Sequence, residues 1–259
     1  PGTKGPRVEM NLRAIVEYMN GYLETEDFPD FDGAVNGLQL DGRSTVDRLY
    51  TAVDASEEVI GRASEKGPGL LLVHHGLFWS ERRSLTGPLF RKVEGLIRGE
   101  VGLYAAHLPL DAHPEVGNSA VLARECGLNP AGRFGNALGV EIGWWCSAEL
   151  ERTKLLGIVE RAVGAEGRLV AGGPKKTRRI AVVTGSAGNM VRQAAERGVD
   201  TLITGEGSHP NYNEAMELNV NVIYAGHYAT ETWGVNALGQ HLEKRFGLSW
   251  EFIDAPTGF

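Results

Sequence analysis

The feature that most constrains the fold is an internal repeat. The segment 103–111 reads LYAAHLPLD and the segment 223–231 reads IYAGHYATE, so that both carry Tyr-Ala-small-His followed four residues later by an acid. Earlier pieces of the two halves align as well: 52–56 with 182–186, and 72–76 with 203–207. A period of this kind indicates a duplicated supersecondary unit. We therefore expect two copies of a β-α-β-α-β unit.

Short apolar runs alternate with helical patterns along the chain, which is typical of the α/β class with buried parallel strands. Strands are predicted at 48–53, 70–73, 101–105, 180–183, 201–203 and 220–225. Helices are predicted at 11–23, 57–66, 90–98, 190–197, 214–218 and 231–246.

The repeat predicts two related α/β lobes that face a central metal cleft. Because the chain is short, no large inserted domain is expected. The first lobe covers 10–127, a bridging segment with one strand and one helix covers 128–175, and the second lobe covers 176–259. The two lobes can equally be counted as a single domain. Ligands of open α/β sheets lie at the carboxyl ends of the parallel strands, so those ends are where functional residues are sought.

The composition excludes some classes of function. A net charge of −7 disfavours a protein that binds the phosphate backbone of nucleic acids. The basic run 175–179 is interpreted as a solvated strand entry, with a local nucleic-acid patch as the alternative. The two cysteines, Cys126 and Cys146, are too sparse for a disulfide-stapled fold, and no apolar run has the length of a membrane span. A cytoplasmic location without membrane contact is expected.

A pair of histidines ends the second apolar run of the first half. His74 and His75 follow four apolar residues, and Gly76 permits a sharp turn directly after them. Adjacent residues of an extended chain point to opposite sides, so the two imidazoles can serve two neighbouring metal sites.

The repeated His-x3-acid motif supplies further ligands at strand-to-helix junctions. His227 and Glu231 are four residues apart, as are His107 and Asp111, and this spacing places both side chains on one helical face. Taken singly, the histidines could be buried structural residues and the acids helix caps. Their coincidence at equivalent strand ends favours a metal site.

The predicted metal ligands are His74, His75, Asp111, His227 and Glu231. Imidazoles combined with carboxylates suit two divalent transition-metal ions, either zinc, iron, manganese, cobalt or nickel. Two bridged ions serve hydrolysis best, with a shared water as nucleophile. Glu206, at the strand end equivalent to the His74-His75 pair, is a candidate general base or a supporting acid, or else a turn carboxylate; His107 is the other candidate proton carrier.

Five motifs together resemble the Nif-three-like family, whose bacterial members are called GTP cyclohydrolase I type 2 homologues. They are VNGLQ at 35–39, VHHGLFW at 73–79, AAHLPLD at 105–111, TGE at 204–206 and AGHYATE at 225–231. The resemblance implies a dinuclear site on the five ligands named above and a toroidal homohexamer, a trimer of dimers with the metal sites facing an internal cavity. It places His107 near the metals.

Two functions follow as hypotheses. The first is a dimetal hydrolase of a small nucleotide-like, cyclic-amide or phosphoester substrate, with GTP cyclohydrolase activity implied by the family name only. The alternative is a non-catalytic metal-binding or regulatory protein that acts through a partner.

Overall fold

The computed structural model describes residues 8–79 and 84–259, which divide into two compact units. The first unit comprises the described residues up to Leu110 together with Val235–Ala255, and the second comprises Asp111–Gly234 with Pro256–Phe259. This division follows packing, whereas the predicted boundaries at 127 and 175 follow the repeat, so the two sets of boundaries fall at different residues.

The strands are β1 Met10–Asn11, β2 Gly37–Leu40, β3 Thr45–Val46, β4 Arg48–Asp54, β5 Gly69–His75, β6 Val101–Ala105, β7 Pro130–Ala137, β8 Val140–Ser147, β9 Arg168–Ala171, β10 Arg179–Val182, β11 Thr201–Thr204, β12 Asn221–Tyr224 and β13 Ser249–Phe252. The α-helices are α1 Leu12–Leu23, α2 Glu57–Lys66, α3 Gly87–Arg98, α4 Leu108–Ala112, α5 Asn118–Glu125, α6 Arg152–Val163, α7 Val191–Glu196, α8 His209–Glu217 and α9 His227–Phe246. A short 3-10 turn covers Gly188–Met190.

The first unit is built on a five-stranded sheet in the order β13-β4-β5-β6-β2. Strands β13, β4, β5 and β6 run parallel, and β2 is antiparallel to β6. The apolar part of β5 is buried throughout, as expected of a parallel strand covered on both faces. Helices α2 and α3 make the crossovers, and the Ser56 hydroxyl caps α2 by accepting from the amide of Val59.

The second unit is built on a six-stranded sheet in the order β7-β8-β10-β11-β12-β9. Its central strands β10, β11 and β12 are parallel, while β8 and β9 pair antiparallel at their two sides. The predicted bridging strand and helix correspond to β8, which extends this sheet, and α6.

The predicted α/β class and the duplicated unit are confirmed. The order β4-α2-β5-α3-β6 in the first unit matches β10-α7-β11-α8-β12 in the second. Within residues 8–79 and 84–259 no large domain is inserted. The described helices include none with the length and apolarity needed to cross a membrane.

Candidate metal centre

Three imidazoles cluster in the first unit at the carboxyl ends of β5 and β6. The ring centroids of His74 and His75 are 4.6 Å apart, and those of His74 and His107 are 5.0 Å apart. One ring nitrogen of each histidine lies within 4.8 Å of one from each of the other two. His74 is completely buried, and His75 and His107 are partly buried. Three such nitrogens at the rim of a parallel sheet are a donor set suited to a transition metal.

Each of these imidazoles is oriented by an acceptor at its Nδ1 atom. His74 Nδ1 lies 3.0 Å from the carbonyl oxygen of Ala106, and His75 Nδ1 lies 2.8 Å from Asp54 Oδ1. His107 Nδ1 lies 2.7 Å from Asp30 Oδ1. When Nδ1 donates in this way, the tautomer leaves Nε2 as the nitrogen with a lone pair for a metal.

Asp30 is a functional candidate that the sequence reasoning missed. Its carboxylate also accepts from the side chain of Asn36 and from the amides of Phe31 and Leu108. Burial acts to raise the pKa of Asp30, but the hydrogen bond and charge of His107, with the other donors, lower it below its ordinary value. The sequence signal was Asn36 in the VNGLQ motif, whose Oδ1 accepts from the amide of His107.

In the second unit, His227 lies between two carboxylates. Its Nδ1 is 2.8 Å from Glu206 Oε1 and its Nε2 is 3.2 Å from Glu231 Oε2. The hydrogen bond to Glu231 is the largest cause that raises the pKa of His227, to about 9, against the opposing effect of burial; Glu206 adds to the rise. The His227–Glu231 contact confirms that the four-residue spacing places the two side chains together at the start of α9.

Asp111 is buried in the second unit and is held by two donors. Its Oδ1 accepts from Asn118 Nδ2 at 2.9 Å and from the Thr184 hydroxyl at 3.2 Å. The amide oxygen of the fully buried Asn118 in turn accepts from the backbone of Gly234 at 2.6 Å. Asp111 and Glu231 each offer a carboxylate oxygen within 4.8 Å of the other, so two buried acids share one small region.

The closeness of the Asp111 and Glu231 carboxylates also suits a bound cation. Two largely buried carboxylates this close repel each other, and their desolvation is costly unless a positive charge lies between them. Gly185 has no side chain beside Glu231, and a Cβ there would overlap the carboxylate. The backbone therefore reserves space for the Glu231 side chain.

Each unit thus contains part of the predicted set of site residues. His74, His75 and His107 lie together in the first unit, and Asp111, His227 and Glu231 lie together in the second. That the two groups hold ions jointly in one cleft stays a prediction. Glu206 contacts His227, a position suited to the supporting acid among its three predicted roles.

The two α/β units, with histidine and carboxylate clusters at their strand ends, place the chain among candidate metal-binding α/β proteins. Within that class the chain belongs to the Duf34/NIF3 (NGG1p interacting factor 3) family, whose profile matches residues 10–257. The resemblance carried by the five motifs is confirmed.

Named relatives cover 96% or more of the chain. A Deinococcus radiodurans protein named GTP cyclohydrolase 1 type 2 homolog is 39% identical over 260 residues, which span 100% of this chain and 98% of the relative. A Pyrococcus abyssi protein of the same name is 39% identical over 254 residues, 96% of this chain and 100% of the relative.

Solved structures share the same fold. TTHA1606 from Thermus thermophilus is 40% identical with a TM-score of 0.83, over 96% of this chain and 100% of the other. The protein ybgI, described as of unknown function, is 32% identical with a TM-score of 0.89, over 96% and 99% of the two chains.

Proposed function

We propose that the chain is a dinuclear metal-dependent hydrolase of a small nucleotide-like molecule. Its metal ligands are His74, His75, Asp111, His227 and Glu231. The observation that carries the proposal is the fixed orientation of the imidazoles in the first unit, where an acceptor holds each Nδ1. A buried core histidine also needs a hydrogen-bond partner. Ring nitrogens that converge within 4.8 Å of one another, each on a ring held from its Nδ1 side, are typical of metal-ligating histidines.

The chemistry of the donor set favours transition metals over calcium or magnesium, which take mostly oxygen ligands. Bound divalent ions would supply Lewis acidity that activates water and polarises a substrate oxygen. A hydrolytic reaction uses both effects, and the names of the relatives are compatible with hydrolytic opening of a purine ring.

The chain's own residues orient the ligands and manage protons. Glu206 accepts from His227 Nδ1 and thereby directs Nε2 toward Glu231. Asp30 accepts from His107 Nδ1 and so fixes the orientation of that ring. His107 is the second proton carrier of the proposal. The exposed part of Glu206 leaves its carboxylate accessible to a substrate, as a general base requires.

The proposal includes a homohexameric ring and a cytoplasmic location. The ring is an expectation from the family and is tested by native mass. Cys126 and Cys146 are both free thiols in the structure, which is compatible with a reducing compartment.

The first test is metal analysis by plasma mass spectrometry on protein purified without chelator. Wild type is compared with Asp111→Ala, and Asp41→Ala is the control because its carboxylate is exposed and pairs with Arg13. We expect close to two ions per chain in wild type and the control, with loss in Asp111→Ala while native mass stays the same.

Turnover is the second test. Metal-loaded wild type is assayed on nucleotides, cyclic amides and phosphoesters, and Glu231→Ala serves as the inactive reference. Activity that disappears in this variant supports the hydrolase. Full metal occupancy without turnover of any of these substrates would favour the alternative, a non-catalytic metal-binding or regulatory protein.

A further inference from the structure

A cavity of about 620 Å³ in the second unit is lined by Glu206, the residue that contacts the candidate metal ligand His227. It is lined by residues of β9, of β12, of the loop after β11 and of α8, including Arg168, Glu206, Tyr212 and Tyr224. Ligand pockets for small molecules have volumes of roughly 300–1,000 Å³, so the size suits one. Glu206 links this cavity to the proposed centre, because its carboxylate also holds His227.

Arg168 and Tyr224 form one wall of the cavity as a cross-strand pair. They are direct partners in the antiparallel pairing of β9 with β12, so their side chains lie on one face of the sheet. Arg168 makes no ion pair with a carboxylate in the described parts of the chain. Arg168 is exposed, so that its guanidinium is available to a ligand's anionic group.

The phenol of Tyr224 provides a second feature of the wall. Its hydroxyl is buried and forms no hydrogen bond with the described protein atoms. A buried hydroxyl without a partner is unfavourable unless a ligand or water satisfies it. Gly207 packs against the same ring, and a Cβ there would lie 2.7 Å from the phenol oxygen. The loop after β11 therefore approaches the ring closely because residue 207 is a glycine.

The cavity lining carries both signs of charge. Among the lining residues that the structure describes, Arg168 is the one permanent cation and Glu206 the one acid. A molecule with an anionic group and with N–H donors on a planar ring would satisfy both, and the rings of Tyr212 and Tyr224 offer it aromatic surface.

We infer that this cavity is the substrate-recognition pocket of the proposed hydrolase, and that it selects a phosphorylated planar heteroaromatic molecule. Arg168 binds the phosphate, and the ring with its N–H donors lies toward Glu206 and His227. That the bound molecule is a substrate rests on the proposed function. The binding itself is independent of turnover.

The experiment is equilibrium binding of guanosine 5′-monophosphate, guanosine and inorganic phosphate by calorimetry, on wild type and on Arg168→Ala. Arg161→Ala is the matched control, because it removes an exposed arginine of α6 outside the cavity. We expect Arg168→Ala to weaken binding of the monophosphate about ten- to hundredfold and to leave guanosine binding unchanged. The control should bind like wild type.

Tyr224→Phe gives a second measurement that does not depend on charge. Removing a hydroxyl that has no protein partner should leave the unfolding midpoint unchanged or raise it. Because the ligand contacts this hydroxyl in the inferred binding mode, the same variant should bind the monophosphate about threefold to tenfold more weakly. A structural role would lower stability without a selective loss of binding.

The outcomes separate this inference from the proposed function. Monophosphate binding that depends on Arg168 in protein that takes up no metal would support the pocket and overturn the dinuclear centre. Metal-loaded wild type that binds no monophosphate, or an Arg168→Ala variant that binds it as wild type does, would overturn the pocket and leave the metal centre standing.

Discussion

Gly185 and Glu231 are in such close contact that the Glu231 carboxylate leaves no room for a side chain at position 185. A Cβ on residue 185 would overlap the Glu231 carboxylate and approach His227 Nε2 to 3.5 Å. The Gly185 backbone also has a φ of +66°, and its amide donates to the Thr230 hydroxyl. The strand end after β10 therefore determines where one proposed metal ligand lies.

We expect Gly185→Ala to displace the Glu231 carboxylate and abolish metal binding while the chain still folds. The left-handed conformation alone should cost about 1–2 kcal/mol of unfolding free energy for an alanine. Gly198→Ala is the matched control, since Gly198 has a φ of +67° and a Cβ on it would meet no atom within 4 Å among the described residues. Metal content and denaturant unfolding are measured for both variants.

The Gly198→Ala control separates the effect of backbone strain from the effect of displacing the Glu231 carboxylate. Gly198→Ala should lose similar stability and keep its metal. Retained metal in a folded Gly185→Ala protein would show that the position of Glu231 beside Gly185 is not needed for metal binding.

Asp30 should make the metal-free protein more stable above about pH 4 than below it. Its pKa is lowered in the folded state, so its contribution is present above the unfolded pKa of about 3.9 and is lost as the pH falls through the folded value. Asp30→Asn should cost about 1–3 kcal/mol at pH 7, because the carboxylate's hydrogen bonds with His107 and its other donors are disrupted.

The measurement is urea unfolding of the chelated protein at pH 7 and at pH 3. Asp30→Asn should show a smaller difference in unfolding free energy between the two pH values than wild type does. Asp41→Asn, which alters an exposed carboxylate paired with Arg13, should behave like wild type. An equal pH dependence in Asp30→Asn and wild type would contradict the assignment.

The sequence predicted the central elements well because their patterns are local. Strand β6 and helix α2 have the predicted bounds, since apolar runs and helical periods depend on neighbouring residues only. Strand β13 was not predicted. Its short segment alternates between exposed and half-buried residues, and it pairs with β4, which lies far away in the sequence. Such a pairing leaves little signal in a local window.

The same reasoning explains the outcome for the candidate site. His107 and His227 were predicted because the repeat marks equivalent strand ends, and His74 and His75 because they end an apolar run and precede a glycine. Asp30 and Asn118 were not, because each lies outside the repeat and acts by reaching a distant backbone or side chain, as Asn118 does with Asp111 and Gly234. The roles of such residues become visible only once the chain is folded.

The two thiols should be almost inert in the folded protein. Burial raises the pKa of Cys126 to about 12 and that of Cys146 to about 11. At pH 8 the reactive thiolate is then about 10⁻⁴ of Cys126 and about 10⁻³ of Cys146, so both the charge state and the lack of access oppose reaction. Native protein treated with iodoacetamide at pH 8 should therefore keep its mass, and protein unfolded in guanidinium chloride should gain two adducts. Rapid single labelling of the native protein would place one thiol at the surface and contradict its burial in the core.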